Sequence, residues 1–205
     1  MAATGFAVAV ASSPIAVNTK VSKRLLGKRA DGSIAWWGMA LFWPYHVGLQ
    51  TKLWIYRQVA TEPSYTCVAP GWYIGGWPGV PGGLPPGNPS VVDLTCELPR
   101  RSPGRYLCLP TWDNDAPTPL QIETGAQWAF KERGQGHPVF VHCAHGHGRS
   151  TVVLCACLVL VKAAASFQEA FAMTKKLRPG VKLNRKQYAS LVEWDKMRFG
   201  NAKHS

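Results

Sequence analysis

The segment His142-Cys143-Ala144-His145-Gly146-His147-Gly148-Arg149-Ser150 most constrains what this chain can fold into. An apolar run with β character, Pro138-Val139-Phe140-Val141, precedes it. An apolar helical run from Thr151 to Val161 follows it. A strand, a short glycine-containing loop and a helix N-terminus converge backbone N–H groups on one point, where the helix dipole favours negative charge. The same field lowers the thiol pKa of Cys143 and makes it a thiolate nucleophile near neutral pH. The planar fork of Arg149 is shaped to hold two oxygens of a phosphate.

The remaining pattern predicts an α/β domain with a mainly parallel central sheet flanked by helices. Gly71 to Pro78 reads as a strand and turn, followed by a Pro/Gly-rich loop from Pro78 to Pro89. Further strands are expected near Ser90–Cys96 and Arg105–Leu109. Thr118-Pro119-x-Gln121 supplies an N-cap, a proline at the first helical position and a capping-box partner, so a helix should run to about Arg133. Ser166-x-x-Glu169 caps another helix, with Phe167, Ala170, Phe171, Thr174 and Leu177 as its expected buried face. A last helix should begin near Asn184 and bury Tyr188, Leu191 and Trp194.

The expected organisation is a basic and apolar N-terminal segment (1–33), a Trp-rich hydrophobic helix (34–60), a catalytic domain (64–199) and a short tail (200–205). Met1 to Val17 lacks the basic start of a signal peptide. Ile34 to Leu49 is rich in tryptophan but short for a membrane span, and Pro44 interrupts it. Tryptophan, tyrosine and flanking cations suit a membrane interface, so an interfacial anchor is preferred over a helix packed on the domain, and that over a span.

With 23 Lys and Arg against 11 Asp and Glu, the formal charge is +12. That balance favours anionic partners: phosphorylated substrates, an anionic membrane surface through residues 34–57, and, less favoured, nucleic acid. The basic runs Lys20–Arg29 and Lys175–Lys186 otherwise read as solvated faces. An apolar content of 46% argues against disorder. Six cysteines form no framework typical of a small secreted domain, and Asn88-Pro89-Ser90 is no glycosylation site. A thiolate enzyme needs a reducing environment, so an intracellular compartment is expected, with membrane association as an option. Cys155 and Cys157 lie on the apolar helix and are expected in the core.

The pattern His-Cys-x-x-Gly-x-x-Arg-Ser resembles the signature of the cysteine-dependent protein tyrosine phosphatases, in particular the dual-specificity branch. The resemblance covers roughly Ser64 to Phe199. It implies a phosphocysteine on Cys143, binding of phosphate oxygens by Arg149, and assistance by Ser150 when the intermediate is hydrolysed. It also implies a phosphate loop of Ala144, His145, Gly146, His147, Gly148 and Arg149, with His142 orienting it, and no cofactor or metal. The family needs a general acid upstream. Asp113, thirty residues before Cys143, is favoured over Asp115, although both also suit a turn. Glu97 is weighed as a support for Arg149 against a surface role. Asn184 resembles the asparagine that steadies the phosphate loop, or it caps a helix with Gln187. His145 and His147 either add positive charge and pH sensitivity around the phosphate or face solvent.

Phosphorylated tyrosine, serine or threonine in proteins is the favoured substrate. Phosphoinositide or RNA 5′-phosphatase activity, and an inactive phosphate-binding module, are the alternatives. Sulfur transfer of the rhodanese kind would not require the acid loop. A zinc site built on His142, Cys143, His145 and His147 is disfavoured, because it leaves Gly146, Arg149 and Ser150 unexplained.

Overall fold

The computed structural model describes residues 26–79 and 81–200. Most of the N-terminal segment (1–25) and the end of the tail (201–205) lie outside the described residues. Two helices, α1 (Trp36–Leu41) and α2 (Trp43–Val59), precede strands β1 (Tyr65–Ala69), β2 (Trp72–Gly75), β3 (Ser90–Thr95) and β4 (Tyr106–Thr111). Helix α3 (Pro119–Gly134), strand β5 (Val139–His142) and helices α4 (Arg149–Leu160), α5 (Phe167–Leu177) and α6 (Arg185–Phe199) complete the chain.

The sheet order is β1-β2-β5-β3-β4, with β2, β5, β3 and β4 parallel and β1 antiparallel at the edge. The expected mainly parallel α/β sheet is what forms. Side chains alternate across it. Ile74, Val92, Leu94, Val139 and Val141 face a core shared with α4, which is buried along ten consecutive residues from Arg149 to Leu158. Cys155 and Cys157 belong to that core. The alternate positions Asp93, Phe140 and His142 face the opposite side, and Phe140 stacks on His142 at 5.5 Å between ring centroids. β3 and β5 are buried throughout, as strands covered on both faces should be.

Local signals are honoured where they are strongest. Thr118 and Gln121 form the capping box that starts α3, and Asn184 and Gln187 form the one that starts α6. Ser166 caps α5 by accepting from the Glu169 N–H. Strand β1, which pairs with β2 at the sheet edge, was not among the expected strands.

Four expectations need correction. The 34–60 region is two helices that break at Phe42, and the second runs on past Leu49 to Val59. Pro44 starts α2 rather than ending a helix, because an N–H in the first turn has no helical partner to lose. Leu177 and Tyr188 are exposed, not buried. In α6 the inward face carries Gln187 and Ser190 beside Leu191 and Trp194, because the Asp115 and Pro117 carbonyls need partners there. Lys28, within the basic run read as solvated, is buried and bonded to Asp93 at 2.8 Å.

Candidate active site

Strand β5 delivers His142 and Cys143 to one end of the sheet, and α4 starts at Arg149 behind an N-cap glycine, Gly148, that has no side chain to block its N–H groups. Between them the loop doubles back at Gly146, whose φ of +80° is a left-handed value. A Cβ at Gly146 would also run into the Gly75 backbone, so this position demands glycine. The turn aims the Gly146 N–H at the Cys143 Sγ, 3.3 Å away. The Ser150 hydroxyl stands 3.4 Å from the same sulfur.

The loop is held from outside by its carbonyls. The Arg178 guanidinium donates to the carbonyls of His145 (3.0 Å) and Gly146 (3.1 Å), and the Trp77 N–H donates to Ala144. Those bonds fix the loop carbonyls from behind the turn that carries the Gly146 N–H to the sulfur. Arg178 is itself fixed by Glu62 at 2.8 Å, and Glu62 also binds the His147 ring at 2.5 Å. His147 is therefore tied to a carboxylate, while His145 sits edge-on to Tyr56 at 4.7 Å. Neither imidazole simply faces solvent. Burial first, and then the neighbouring His147, hold His145 below its ordinary imidazole pKa and suppress its charge.

Burial of Cys143 opposes ionisation. The Arg149 charge, the Ser150 hydroxyl and the Ser150 and Gly146 N–H groups outweigh it, and the thiol lies below its ordinary value. Arg149 is fully packed. Its two terminal nitrogens grip the two oxygens of Glu97 at 2.8 and 3.1 Å, and one donates to the Thr111 carbonyl at 2.7 Å. Glu97 is thus buried and bidentate rather than a surface residue, which fixes the plane of the guanidinium. His142 is buried beside Asp93 (3.7 Å), with Nδ1 against the Cys143 carbonyl. Burial pushes its pKa down although Asp93 pulls it up.

A cleft of about 340 Å³ opens over the sulfur, lined by Cys143, Arg149, Asp113, His145, Tyr56 and Lys182 among others. Asp113 reaches the Arg149 guanidinium at 3.0 Å with a side chain 61% exposed. Asp115 lies outside this lining and pairs with Lys186 at 3.4 Å. Asn184 spends its side-chain hydrogen bonds away from the cysteine loop. It caps α6 and donates to the Asn114 carbonyl at 2.8 Å, so it holds the loop that carries Asp113 and Asp115. Gln187 does the same at Asp115, and its side chain lies so close to Gly148 that a Cβ there would clash with it. Among the described residues, no three His, Cys, Asp or Glu side chains come together as a metal site.

Sequence inspection missed Tyr56, Glu62 and the clamp role of Arg178.

A family model described as the dual specificity phosphatase catalytic domain matches residues 105–197. No curated protein matches the sequence. Among solved structures, a mouse putative dual specificity phosphatase complexed with zinc tungstate is 24% identical, over 70% of this chain and 93% of that one, with a TM-score of 0.60. PTPMT1 in complex with PI(5)P is 22% identical over 68% of this chain and 99% of its own, with a TM-score of 0.59. Human DUSP28 is 21% identical over 66% and 95%, with a TM-score of 0.57. At these identities the structural likeness establishes the fold. The matched residues contain the whole cysteine loop together with Asp113 and Asn184. Over residues 105–197 the chain is thus similar to the dual specificity phosphatase catalytic domain, and it shares the fold of the dual-specificity phosphatase structures.

Proposed function

We propose that this enzyme hydrolyses phosphate monoesters through a phosphocysteine at Cys143, with phosphorylated protein side chains as its substrates. The observation that carries the reading is the Cys143 sulfur, hydrogen-bonded by the loop and held below the ordinary thiol pKa in one cleft with Arg149 and Asp113. In the first step the thiolate attacks phosphorus and the ester P–O bond breaks. Arg149 and the loop N–H groups from Ala144 to Arg149 hold the equatorial oxygens, and Asp113 gives its proton to the leaving oxygen. In the second step Asp113 takes a proton from water, whose oxygen attacks phosphorus. The P–S bond breaks, Cys143 leaves as thiolate, and the Ser150 hydroxyl stabilises it.

Tyr56 supports an aryl phosphate substrate, since its ring stands at the cleft wall against His145 and offers an aromatic face to a phosphotyrosine ring. A phosphoinositide is the second reading, favoured by Lys182 and the two imidazoles at the mouth. We place the working enzyme in a reducing intracellular compartment, because all six cysteines are free and the thiolate is open to oxidation.

The test compares kcat/KM on a phosphotyrosine peptide, a phosphoserine peptide and a soluble phosphoinositide. Cys143→Ser and Arg149→Ala should abolish every activity. Tyr56→Ala should lower kcat/KM on the phosphotyrosine peptide about tenfold, roughly the worth of one aromatic contact. A phosphoinositide turned over far better than either peptide would transfer the assignment to the second reading.

A further inference from the structure

Helix α2 carries apolar side chains well beyond its buried face. One face carries Phe42, His46 and Leu53 into the loops beneath the active site, where Phe42 packs with Trp112 and Leu53 with Trp77 and Ala144. The rest of the helix surface should then be polar. Instead Trp43, Val47 and Trp54, spaced by four and seven residues, form an outward stripe, each more than half exposed. Ile55 and Val59 are exposed on a further side of the helix, and α1 adds Trp36 at 78% exposure. Ten of the fifteen large apolar side chains exposed among the described residues fall between Trp36 and Val59. Such a concentration exceeds the scattered exposure normal on a soluble surface.

The surroundings say what covers it. No aspartate or glutamate occurs between Asp31 and Glu62, while Lys52 and Arg57 do. Arg100 and Arg101 share a surface depression with Met39 and Gln50, so cations rim the apolar face from a second segment. The Arg101 guanidinium lies 5.7 Å from the Trp77 ring centre. Tryptophan beside Lys and Arg, without acids, is the composition of a helix lying in a membrane interface. No helix among the described residues is long and apolar enough to cross a membrane, and α2 is already committed on one face to the catalytic loops.

We propose that the outward face of α1 and α2 docks on an anionic phospholipid bilayer, with the tryptophans in the headgroup region and Lys52, Arg100 and Arg101 against lipid phosphates. Tyr56 belongs to the same helix and lines the catalytic cleft. Docking therefore brings the cleft beside the headgroup plane, and the site works on phosphomonoesters presented there. The docking surface does not depend on the reaction assigned to Cys143, so binding and turnover fail separately.

The full chain is sedimented with vesicles of phosphatidylcholine alone or mixed with phosphatidylserine, and tryptophan emission is read on the same samples. Binding to the mixed vesicles, weaker binding to the neutral ones and a blue shift of emission are expected. The double variant Trp43→Ala/Trp54→Ala should bind at least about tenfold less, and Lys52→Glu/Arg101→Glu should lose the preference for phosphatidylserine. Unchanged turnover of p-nitrophenyl phosphate in both variants shows that they fold. A wild-type chain that stays in the supernatant overturns the proposal, as does binding that survives the tryptophan substitutions. Self-association in analytical ultracentrifugation that the same substitutions abolish, without vesicle binding, would assign the face to a second copy of the chain.

Discussion

Arg149 and Cys143 illustrate how burial is turned to use at the scale of single residues. A buried cation is costly unless it is paired, and Glu97 pairs Arg149 on the side away from the cleft. The charge then acts on Cys143, where it competes with desolvation of the thiolate and wins with help from Ser150 and two N–H groups. Because the folded pKa is lowered, the reactive thiolate is present above that value and is lost as pH falls through it. Alkylation of Cys143 by iodoacetamide should therefore show a midpoint below the ordinary 9.0. In Ser150→Ala the midpoint should move up, since one stabilising hydrogen bond to the sulfur is gone. A wild-type midpoint at or above that of an ordinary thiol would contradict the assigned field. Cys143 and Arg149 could be picked out from spacing alone, whereas Glu97 could not be separated from a surface glutamate, because its partner lies 52 residues away.

Between elements, α6 holds the loop that carries the proposed acid. Asn184 binds the Asn114 carbonyl, Gln187 the Asp115 carbonyl and Ser190 the Pro117 carbonyl, while Asp113 is left facing Arg149. The capping box at Asn184 was legible because it is local, but the carbonyl it serves was not. Asn184→Ala should loosen the loop and lower kcat about tenfold with little change in KM, as expected when a proton donor is misplaced rather than removed. The loss should be larger for an alkyl phosphate than for p-nitrophenyl phosphate, whose leaving group needs less protonation. Asp113→Asn should reproduce that leaving-group dependence more strongly, and Asp115→Asn should leave it near wild type. Equal effects of the two aspartate substitutions would remove the assignment of Asp113.

At the scale of the whole molecule, the chain before the catalytic domain is part of its structure. The Lys28 side chain is wholly buried and bonded to Asp93, which Tyr106 also binds and which faces His142 in the adjacent strand. Burial alone would raise the Asp93 pKa, but Lys28 and His142 overcome it and hold the carboxyl at about 2. A carboxylate with a depressed folded pKa adds stability that is complete above its unfolded value. That stability is lost as pH falls from its ordinary 3.8 through about 2. Lys28→Met should leave the buried Asp93 without its lysine counter-charge, at a cost of about 3 kcal/mol. Its acid unfolding midpoint should move to higher pH. Adding Asp93→Asn should recover part of the loss in urea unfolding, and a simple sum of the two penalties would argue against the pair.

The sequence by itself determined the cysteine loop, the strand that feeds it, the helix that follows and the capping boxes of α3 and α6. All of these depend on residues within a few positions of one another, where backbone sterics and helix geometry decide. Only the tertiary structure decided which aspartate reaches Arg149, which loop Asn184 holds and that Arg178 clamps the loop carbonyls. It alone showed that Lys28 is interior, and which side of the tryptophan-rich helices points outward. Those outcomes rest on partners such as Asn184 and Asn114, 70 residues apart. Which side chains meet at that distance depends on how sheet order and helix packing place the segments, and no local periodicity records it.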